Sequence, residues 1–169
     1  HPPEYTDVYD HVRFYGDMFD REHEAENYIA QLQQRVSNLP ASSDTPKRVA
    51  VLYPAGGTIY GYGAMSMAST VVRSAGGSNI FSDVDKRVFD MSTEVLVDEN
   101  PEVVLVASST EQDKQDAMQQ VRNLPGFDST AAADSDAIYP VLLNQIDPPT
   151  PLAVDGAEKV ADYLKGLDQ

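Results

Sequence analysis

Two tyrosines separated by one residue, Tyr60 and Tyr62, lie within the glycine-rich stretch AGGTIYGYGAMS at residues 55–66. Phenol rings can stack on a flat ligand and donate hydrogen bonds to it, which makes this stretch a candidate binding loop, mobile and hinged by glycines. The alternative is that the rings pack on a neighbouring helix and that the glycines only make turns. The residue types alone leave both interpretations open.

The glycines of this stretch do not match a phosphate-binding loop. Gly61 and Gly63 form a G-x-G, but the stretch lacks both the Gly-Lys-Ser or Gly-Lys-Thr of a phosphate loop and the spacing of a dinucleotide fingerprint. No Lys or Arg lies between Arg48 and Arg73, so an anion would meet only backbone N–H groups. A nucleotide is therefore a poor candidate for the ligand.

Two further groups of polar residues follow predicted strands. The stretch ASST supplies Ser109 and Thr110, either of which could instead cap the next helix. The stretch LLNQIDPP supplies Asn144 and Gln145, which ordinary loop polarity explains equally well. Ligands of open parallel sheets bind at the carboxyl ends of the strands, so Ser109 and Asn144 join the two tyrosines as candidates.

Few residues of the chain suit catalysis. The histidines, His1, His11 and His23, all lie in the N-terminal segment, and there is no Cys. The sequence GAMSM around Ser66 lacks the second glycine of a nucleophile elbow. The acids around His23 do not reproduce H-E-x-x-H and suit the start of a helix. We therefore predict that the chain is not an enzyme and that it has neither a cofactor nor a metal site of its own.

The composition excludes several classes of partner. The chain has 27 Asp and Glu residues against 12 Lys and Arg, and its net charge of -15 would repel nucleic acid. No apolar run approaches the roughly 20 residues that span a bilayer, so we expect membrane association only through an anchor outside this chain. The opening residues resemble neither a signal peptide nor a natural start, which suggests a fragment or a processed product.

The pattern of apolar residues predicts a layered α/β domain. Three β-rich runs, at residues 48–53, 102–108 and 137–142, each lead into a polar turn. Helices are predicted at residues 6–15, 20–39, 63–75, 92–99, 111–123 and 155–167, and a surface loop at 41–47. Near-continuous apolar strands are typical of a parallel sheet that is covered on both faces. We therefore predict a mainly parallel central sheet with right-handed crossovers.

The longest predicted helix, at residues 20–39, is amphipathic. One face carries apolar residues at steps of four and three, namely Ala25, Ile29, Leu32, Val36 and Leu39. We expect Asp20 to cap its start and Pro40 to end it. The shorter helix before it is expected to close at Gly16.

Five segments occur in an informative order along the chain. They are VYDHVRFYGDMFDREHEAENYIAQLQQRV, RVAVLY, YGYGAMSMASTVVRSAGGSNIF, DMSTEVLVDENPEVVLVAS and LPGFDSTAAADSDAIYPV. Their order resembles the carboxyl-terminal lobe of the helical-backbone class of ABC-importer substrate-binding proteins, which take up ferric siderophores, haem or cobalamin. The first segment is similar to the helix that joins the two lobes of such proteins, and the fourth contains their Ser-x-Glu signature.

The resemblance implies a three-layer, Rossmann-like lobe preceded by a long inter-lobe helix. It divides the chain into N-terminal helices at residues 1–40 and a ligand-binding lobe at 41–169. The implied function is to bind an iron chelate, most often a ferric siderophore, outside the cytoplasm and to deliver it to the transmembrane subunits of an ABC permease. The protein would then lie in the periplasm, or on the cell surface as a lipoprotein.

The resemblance also implies roles for particular residues. Glu94 matches the exposed glutamate with which each lobe of such proteins docks onto a basic residue of the permease, and an ordinary first-turn acid of a helix is the alternative. The positions that resemble those lining the ligand cleft are Tyr53, Tyr60, Tyr62, Phe89, Ser109 and Asn144, of which Tyr53 and Phe89 are the weaker candidates.

Other functions stay open at this stage. Haem or cobalamin could bind to the same type of receptor, with Tyr60 or Tyr62 as a phenolate ligand of haem iron. The nearest cations to these loops are Lys86 and Arg87, and their scarcity disfavours an anionic catecholate. An enzyme domain of related topology, such as a chelatase, would need a base and metal-binding side chains on the same loops. A third alternative is a lobe that serves only in protein–protein contacts, which would bind no small ligand.

Overall fold

Six strands and seven α-helices make up the part of the chain that the computed structural model describes, residues 1–40 and 44–167. The helices are α1 (Tyr5–Met18), α2 (Glu22–Ser37), α3 (Met67–Ser74), α4 (Thr93–Glu99), α5 (Lys114–Arg122), α6 (Ala131–Asp134) and α7 (Leu152–Gly166). The strands are β1 (Lys47–Ala55), β2 (Thr58–Tyr62), β3 (Gly77–Asn79), β4 (Val88–Asp90), β5 (Val103–Ser108) and β6 (Ile138–Leu142). Short 3-10 turns lie at Phe127–Ser129 and Leu143–Gln145.

The strands form one mixed sheet in the order β4-β2-β1-β5-β6, with β3 paired to the start of β1. β1 is parallel to β3 and to β5, and β5 is parallel to β6. β2 runs antiparallel to both β1 and β4. The three strands predicted from the sequence are confirmed, with bounds that differ by one or two residues. The carboxyl ends of these three strands, β1, β5 and β6, lie together at one end of the sheet, which we call the carboxyl end.

Helices cover both faces of this sheet. The face that packs against α1, α2, α3 and α7 is here called the front face, and the face that packs against α4, α5 and α6 the back face. Along β5, Val103 and Leu105 belong to the front core, and Val104 and Val106 to the back core. All four are buried, as expected for a strand covered on both sides. This arrangement confirms the predicted three-layer α/β fold.

A β-hairpin stands where the sequence predicted a mobile loop at residues 55–66. Gly56 and Gly57 have φ values of 59° and 82°, in the left-handed region, so they form the tight turn between β1 and β2. The residues TIYGY that follow then pair with the end of β1. The loop prediction was wrong because a β-prone run comes directly after the turn glycines. α3 accordingly begins later than predicted, with the Ser66 hydroxyl accepting from the N–H of Ser69 at 3.1 Å.

The junction between α1 and α2 also differs from the prediction. α1 continues past Gly16, and α2 begins only at Glu22, so Asp20 does not cap it but lies in the linker with a φ of 53°. Gly16 is buried, and a Cβ atom at this position would lie 2.5 Å from the Cβ of Ala25 on α2. The glycine is therefore a point of close approach between the two helices rather than a helix end.

The remaining differences concern short elements and helix ends. α5 starts after a loop in which the Thr110 hydroxyl accepts from the N–H of Asp113 at 3.3 Å, so neither predicted residue caps the helix itself. β3, β4 and α6 were not predicted, because elements of three or four residues carry no periodic signal. The loop predicted at 41–47 lies partly outside the described residues, and Lys47 belongs to β1. No helix within 1–40 and 44–167 has the length and apolar character to cross a membrane.

Candidate functional site

A pair of tyrosines forms the centre of the carboxyl end of the sheet. Tyr53, near the end of β1, lies directly opposite Tyr60 on β2. Residues opposite each other on neighbouring strands project from the same face, here the front face. The two ring centroids are 6.5 Å apart, with the ring planes tilted by 32°. Both rings are only partly buried, so each presents part of its face to a ligand.

Ser109 completes this group from the next strand of the sheet. It lies just past the end of β5, and its hydroxyl is 3.0 Å from the hydroxyl of Tyr53, close enough for a hydrogen bond. Ser109 is exposed, so this pair of hydroxyls can also donate to or accept from a bound molecule. Tyr53, Tyr60 and Ser109 together are called the tyrosine surface below. It suits an uncharged, oxygen-rich or flat ligand.

Tyr62 does not belong to this surface, although the sequence predicted that it would. It lies two residues further along β2, where only 2% of its side chain is exposed, within the front core. Burial raises its pKa, and the nearby carboxylate of Asp147 raises it further. Both causes disfavour the phenolate form, so the proposed role of Tyr62 as an iron ligand finds no support in its surroundings.

One ion pair joins the residue before β4 to the segment after β6. The Nη1 of Arg87 is 2.5 Å from the Oδ1 of Asp147, which follows β6. The backbone N–H of Asp147 donates to the carbonyl of Leu143 at 2.9 Å, and this turn holds the acid in place. The hydrogen bond from Arg87 to Asp147 also raises the pKa of the guanidinium. Arg87 was noted in the sequence as a nearby cation, but its partner was not.

Phe89 lies on the other side of the sheet from the tyrosine surface. Its ring meets that of Phe81 edge-on at 5.1 Å, and both contact the back core. Packing thus accounts for this residue, and its predicted contact with a ligand stays a prediction.

Asn144 lies at the carboxyl end of the sheet, as the sequence predicted. It is exposed in the 3-10 turn that directly follows β6. The following residue, Gln145, has a different role, because its side chain accepts from the N–H of Leu142 at 3.4 Å and its carbonyl packs against Gly156 of α7. Asn144 is therefore available to a ligand, whereas Gln145 stabilises the turn.

Glu94 also faces solvent at the carboxyl end. It lies in the first turn of α4, whose start is capped by the Ser92 hydroxyl, an acceptor for the N–H of Val95 at 3.4 Å. α4 begins just after β4, and the N–H of Met91 there donates to the carbonyl of Ile59 on β2 at 2.9 Å. Within residues 1–40 and 44–167, Glu94 forms no ion pair.

Two acids that belong to this region were missed by the sequence analysis. Asp147 stood there only within the polar stretch LLNQIDPP, and Asp90 only as the first residue of the fourth segment. Asp90 is exposed and pairs directly with Tyr60, so it lies beside the tyrosine surface on the front face. Only knowledge of the β2–β4 pairing could have revealed it, because the two strands are far apart in sequence.

A groove of about 660 Å³ lies at the opposite end of the molecule. Lys47 at the start of β1, Arg35 of α2 and Lys165 of α7 line it, and Pro40 and Thr45 border it on either side of residues 41–43, which the structure does not describe. Ligands of open α/β sheets bind at the carboxyl ends of the strands, so we take the tyrosine surface and not this groove as the candidate site. In the described part of the chain, no three His, Asp or Glu side chains come together as a metal-ligand set.

Comparison with known proteins identifies the family. Residues 2–141 match the family model described as "Periplasmic binding protein". The chain belongs to this family. The resemblance inferred from the sequence motifs is thereby confirmed, and both the family and the similar structures below are binding proteins rather than enzymes. No curated protein matches the chain significantly.

Several solved structures share the fold of this periplasmic binding protein chain. An ABC-type Fe3+-hydroxamate transport system from Saccharomonospora viridis is 36% identical, with a TM-score of 0.88 over 96% of this chain and 57% of that chain. The periplasmic heme-binding protein RhuT from Roseiflexus is 18% identical, with a TM-score of 0.83 over 99% of this chain and 65% of that one. The vitamin B12 binding protein BtuF of Vibrio cholerae is 17% identical, with a TM-score of 0.72, and is matched over 64% of its length.

These comparisons differ in what they show. At 18% and 17% identity, the last two structures show a common fold only. The chain spans between 57% and 65% of the length of all three structures. It therefore corresponds to part of a longer relative, which agrees with the interpretation of the chain as one lobe.

Proposed function

We propose that this chain is the carboxyl-terminal lobe of an extracytoplasmic substrate-binding protein that binds an iron chelate, a ferric siderophore, and delivers it to the permease of an ABC importer. Residues 41–169 would form the ligand-binding lobe, and residues 1–40 would contribute the inter-lobe helix. The whole protein would lie in the periplasm or, with an anchor outside this chain, on the cell surface. The observation that carries the proposal is the tyrosine surface at the carboxyl end of a sheet of this family.

The chemistry of the tyrosine surface supports this ligand. A ferric siderophore presents an oxygen-rich, partly apolar outer surface, which suits half-exposed phenol rings and free hydroxyls. The rings of Tyr53 and Tyr60 are held by paired strands rather than by a flexible loop, so little ordering is needed on binding. Asn144, exposed at the same end of the sheet, offers an amide that can both donate and accept.

Delivery of the ligand would involve Glu94. A carboxylate in the first turn of a helix is favoured by the helix dipole and, when exposed, is a suitable partner for a cation on another protein. Glu94 and the tyrosine surface lie at the same end of the sheet, so a permease that docks onto α4 would lie close to the ligand. The complementary charge on the permease would be a Lys or Arg.

A fluorescence titration tests the ligand. The complete protein is titrated with an iron-loaded hydroxamate siderophore, an iron-loaded catecholate siderophore, haemin and cobalamin, and quenching of tyrosine emission is followed. We expect saturable quenching by a siderophore at sub-micromolar concentration. Tyr60→Ala should weaken this binding by about tenfold or more, because it removes a central aromatic contact.

Tyr28→Ala is the matched control for this titration. Tyr28 is a partly exposed tyrosine on α2, outside the tyrosine surface, so its removal should leave the affinity within about twofold. If only haemin or only cobalamin gives saturable quenching, that compound rather than a siderophore is the ligand, and the type of receptor is unchanged. If none of the four compounds binds, a small-ligand function is wrong and a lobe used only for protein contacts becomes the better explanation.

A further inference from the structure

The arginine beside the tyrosine surface is already neutralised by a carboxylate of the same lobe. Arg87 precedes β4, and its guanidinium reaches across to Asp147 after β6, at an Nη1 to Oδ1 distance of 2.5 Å. The side chain of Asp147 is 23% exposed and that of Arg87 is 59% exposed, so solvent screens the arginine side of the pair more than the acid side. Arg87 directly precedes β4, the edge strand that pairs with β2 at Tyr60 and Tyr62, and Asp147 lies just past the 3-10 turn that follows β6. The ion pair therefore joins the strand beside Tyr60 to the carboxyl end of the sheet.

The charge that strand pairing places beside this surface is acidic. Asp90, exposed, lies directly opposite Tyr60. Lys114, the first residue of α5, pairs with Glu111 on the loop after β5. Lys86 is exposed and lies next to Arg87 before β4, where its carbonyl accepts from the N–H of Met65.

The charge of a ferric siderophore depends on its chelating groups. Three hydroxamates are each a monoanion and neutralise Fe3+, whereas three catecholates are each a dianion and leave a trianionic complex. An arginine that is free to form charge-assisted hydrogen bonds would favour the trianion. An arginine that is already paired with a carboxylate adds no net positive charge, and the carboxylate itself repels the trianion.

We propose that Asp147 is a specificity-determining residue that neutralises Arg87 and so makes this lobe select ferric chelates without negative charge, such as trihydroxamates, against trianionic tris-catecholates. This inference rests on the proposed function, because it concerns the ligand of the same site. An acid, rather than an aromatic residue or a cation, would then determine which of the two classes of siderophore binds.

The test compares two ligands on charge variants of the complete protein. Dissociation constants for a neutral ferric trihydroxamate and for a trianionic ferric tris-catecholate are measured for wild type, Asp147→Asn, Arg87→Gln and the double variant. Asp147→Asn should tighten binding of the trianion by about tenfold while the affinity for the neutral chelate stays within about threefold. The gain should shrink as salt is added, since it is electrostatic.

Three further variants separate the local effect from net charge. The gain should vanish in the double variant, because the arginine that Asp147→Asn releases is then absent. Arg87→Gln alone should bind the trianion more weakly than wild type, because it leaves the carboxylate of Asp147 unpaired. It tests the idea without removing Asp147, should Asp147→Asn fold poorly. Asp162→Asn changes the net charge equally but lies by the groove at the other end of the molecule, so it should have no effect on either ligand.

The outcomes are distinguishable. If wild type binds the trihydroxamate but Asp147→Asn leaves the affinity for the tris-catecholate unchanged, the role of Asp147 is wrong while the proposed function stands. Wild-type protein that binds the tris-catecholate as tightly as the trihydroxamate also overturns the inference. Failure of wild type to bind either chelate overturns the proposed function and the inference together.

Discussion

The same side chain has different chemistry at neighbouring positions of one strand. Tyr60 and Tyr62 both project from the front face of β2, yet Tyr60 lies at the carboxyl end and is partly exposed, whereas Tyr62 is buried in the core. Period-two alternation explains why they share a face, and their distance from the end of the sheet explains why only one can meet a ligand. Sequence alone could show the first fact but not the second.

Buried tyrosines predict a loss of stability at alkaline pH. Burial raises the pKa of Tyr5 from 10.0 to about 12, and burial also raises the pKa of Tyr62. Above pH 10 the unfolded chain releases these protons while the folded chain keeps them, so the free energy of unfolding falls as pH rises. Each tyrosine contributes a slope of up to about 1.4 kcal/mol per pH unit in this range.

Urea unfolding at a series of pH values from about 8 to about 11.5 measures this effect. Tyr62→Phe should flatten the decline, because a buried ring without a hydroxyl has no proton to lose. Tyr15→Phe is the control, since Tyr15 is exposed and its replacement should leave the slope as in wild type. An equal slope in wild type and Tyr62→Phe would show that Tyr62 does not contribute to the loss of stability at alkaline pH.

At the scale of elements, the sequence predicted those strands and helices that have a clear apolar periodicity or clear turn residues at their ends. The parallel strands are apolar runs bounded by turns, and α2, α4 and α7 carry clear helical spacing, so all were found. The hairpin was missed because the glycines of its turn and those of a ligand-binding loop look alike in sequence. The ion pair of Arg87 with Asp147 was missed because it joins segments 60 residues apart, and no local pattern encodes such a contact.

The close approach of α1 and α2 gives a prediction at this scale. Gly16→Ala places a methyl group 2.5 Å from the Cβ of Ala25, so the helices must move apart, at a cost of about 1–3 kcal/mol in the free energy of unfolding. Gly166→Ala, near the end of α7, meets nothing within 4 Å and should instead be neutral or stabilise by up to about 1 kcal/mol. Urea unfolding of both variants measures the difference.

A second substitution shows whether the effect arises from this contact. Ala25→Gly removes the methyl group that Gly16→Ala would strike, so the double variant should recover part of the lost stability. If Gly16→Ala alone is as stable as wild type, Gly16 does not set the distance between the helices, and the original interpretation of Gly16 as a helix terminator regains support.

At the scale of the whole molecule, ligand and permease contacts would share one end of the sheet. The tyrosine surface lies at the carboxyl ends of β1 and β5, with Tyr60 on β2. α4 starts at the same end, because β4 runs parallel to β1. The strong negative charge of the chain suits a cationic docking surface on the partner. Binding and docking should then be separable by mutation, since they use different residues.

The separation is tested by reversing the charge of Glu94. Glu94 is exposed on the first turn of α4 and is not part of the tyrosine surface, so Glu94→Arg should leave ligand affinity within about twofold of wild type. Uptake of the iron chelate by cells that carry the variant should be lost, because an arginine repels the basic residue on the permease. Asp128→Arg makes the same change at an exposed position in the 3-10 turn after α5 and should transport normally. Uptake at the wild-type rate with Glu94→Arg would show that this glutamate does not dock onto the permease.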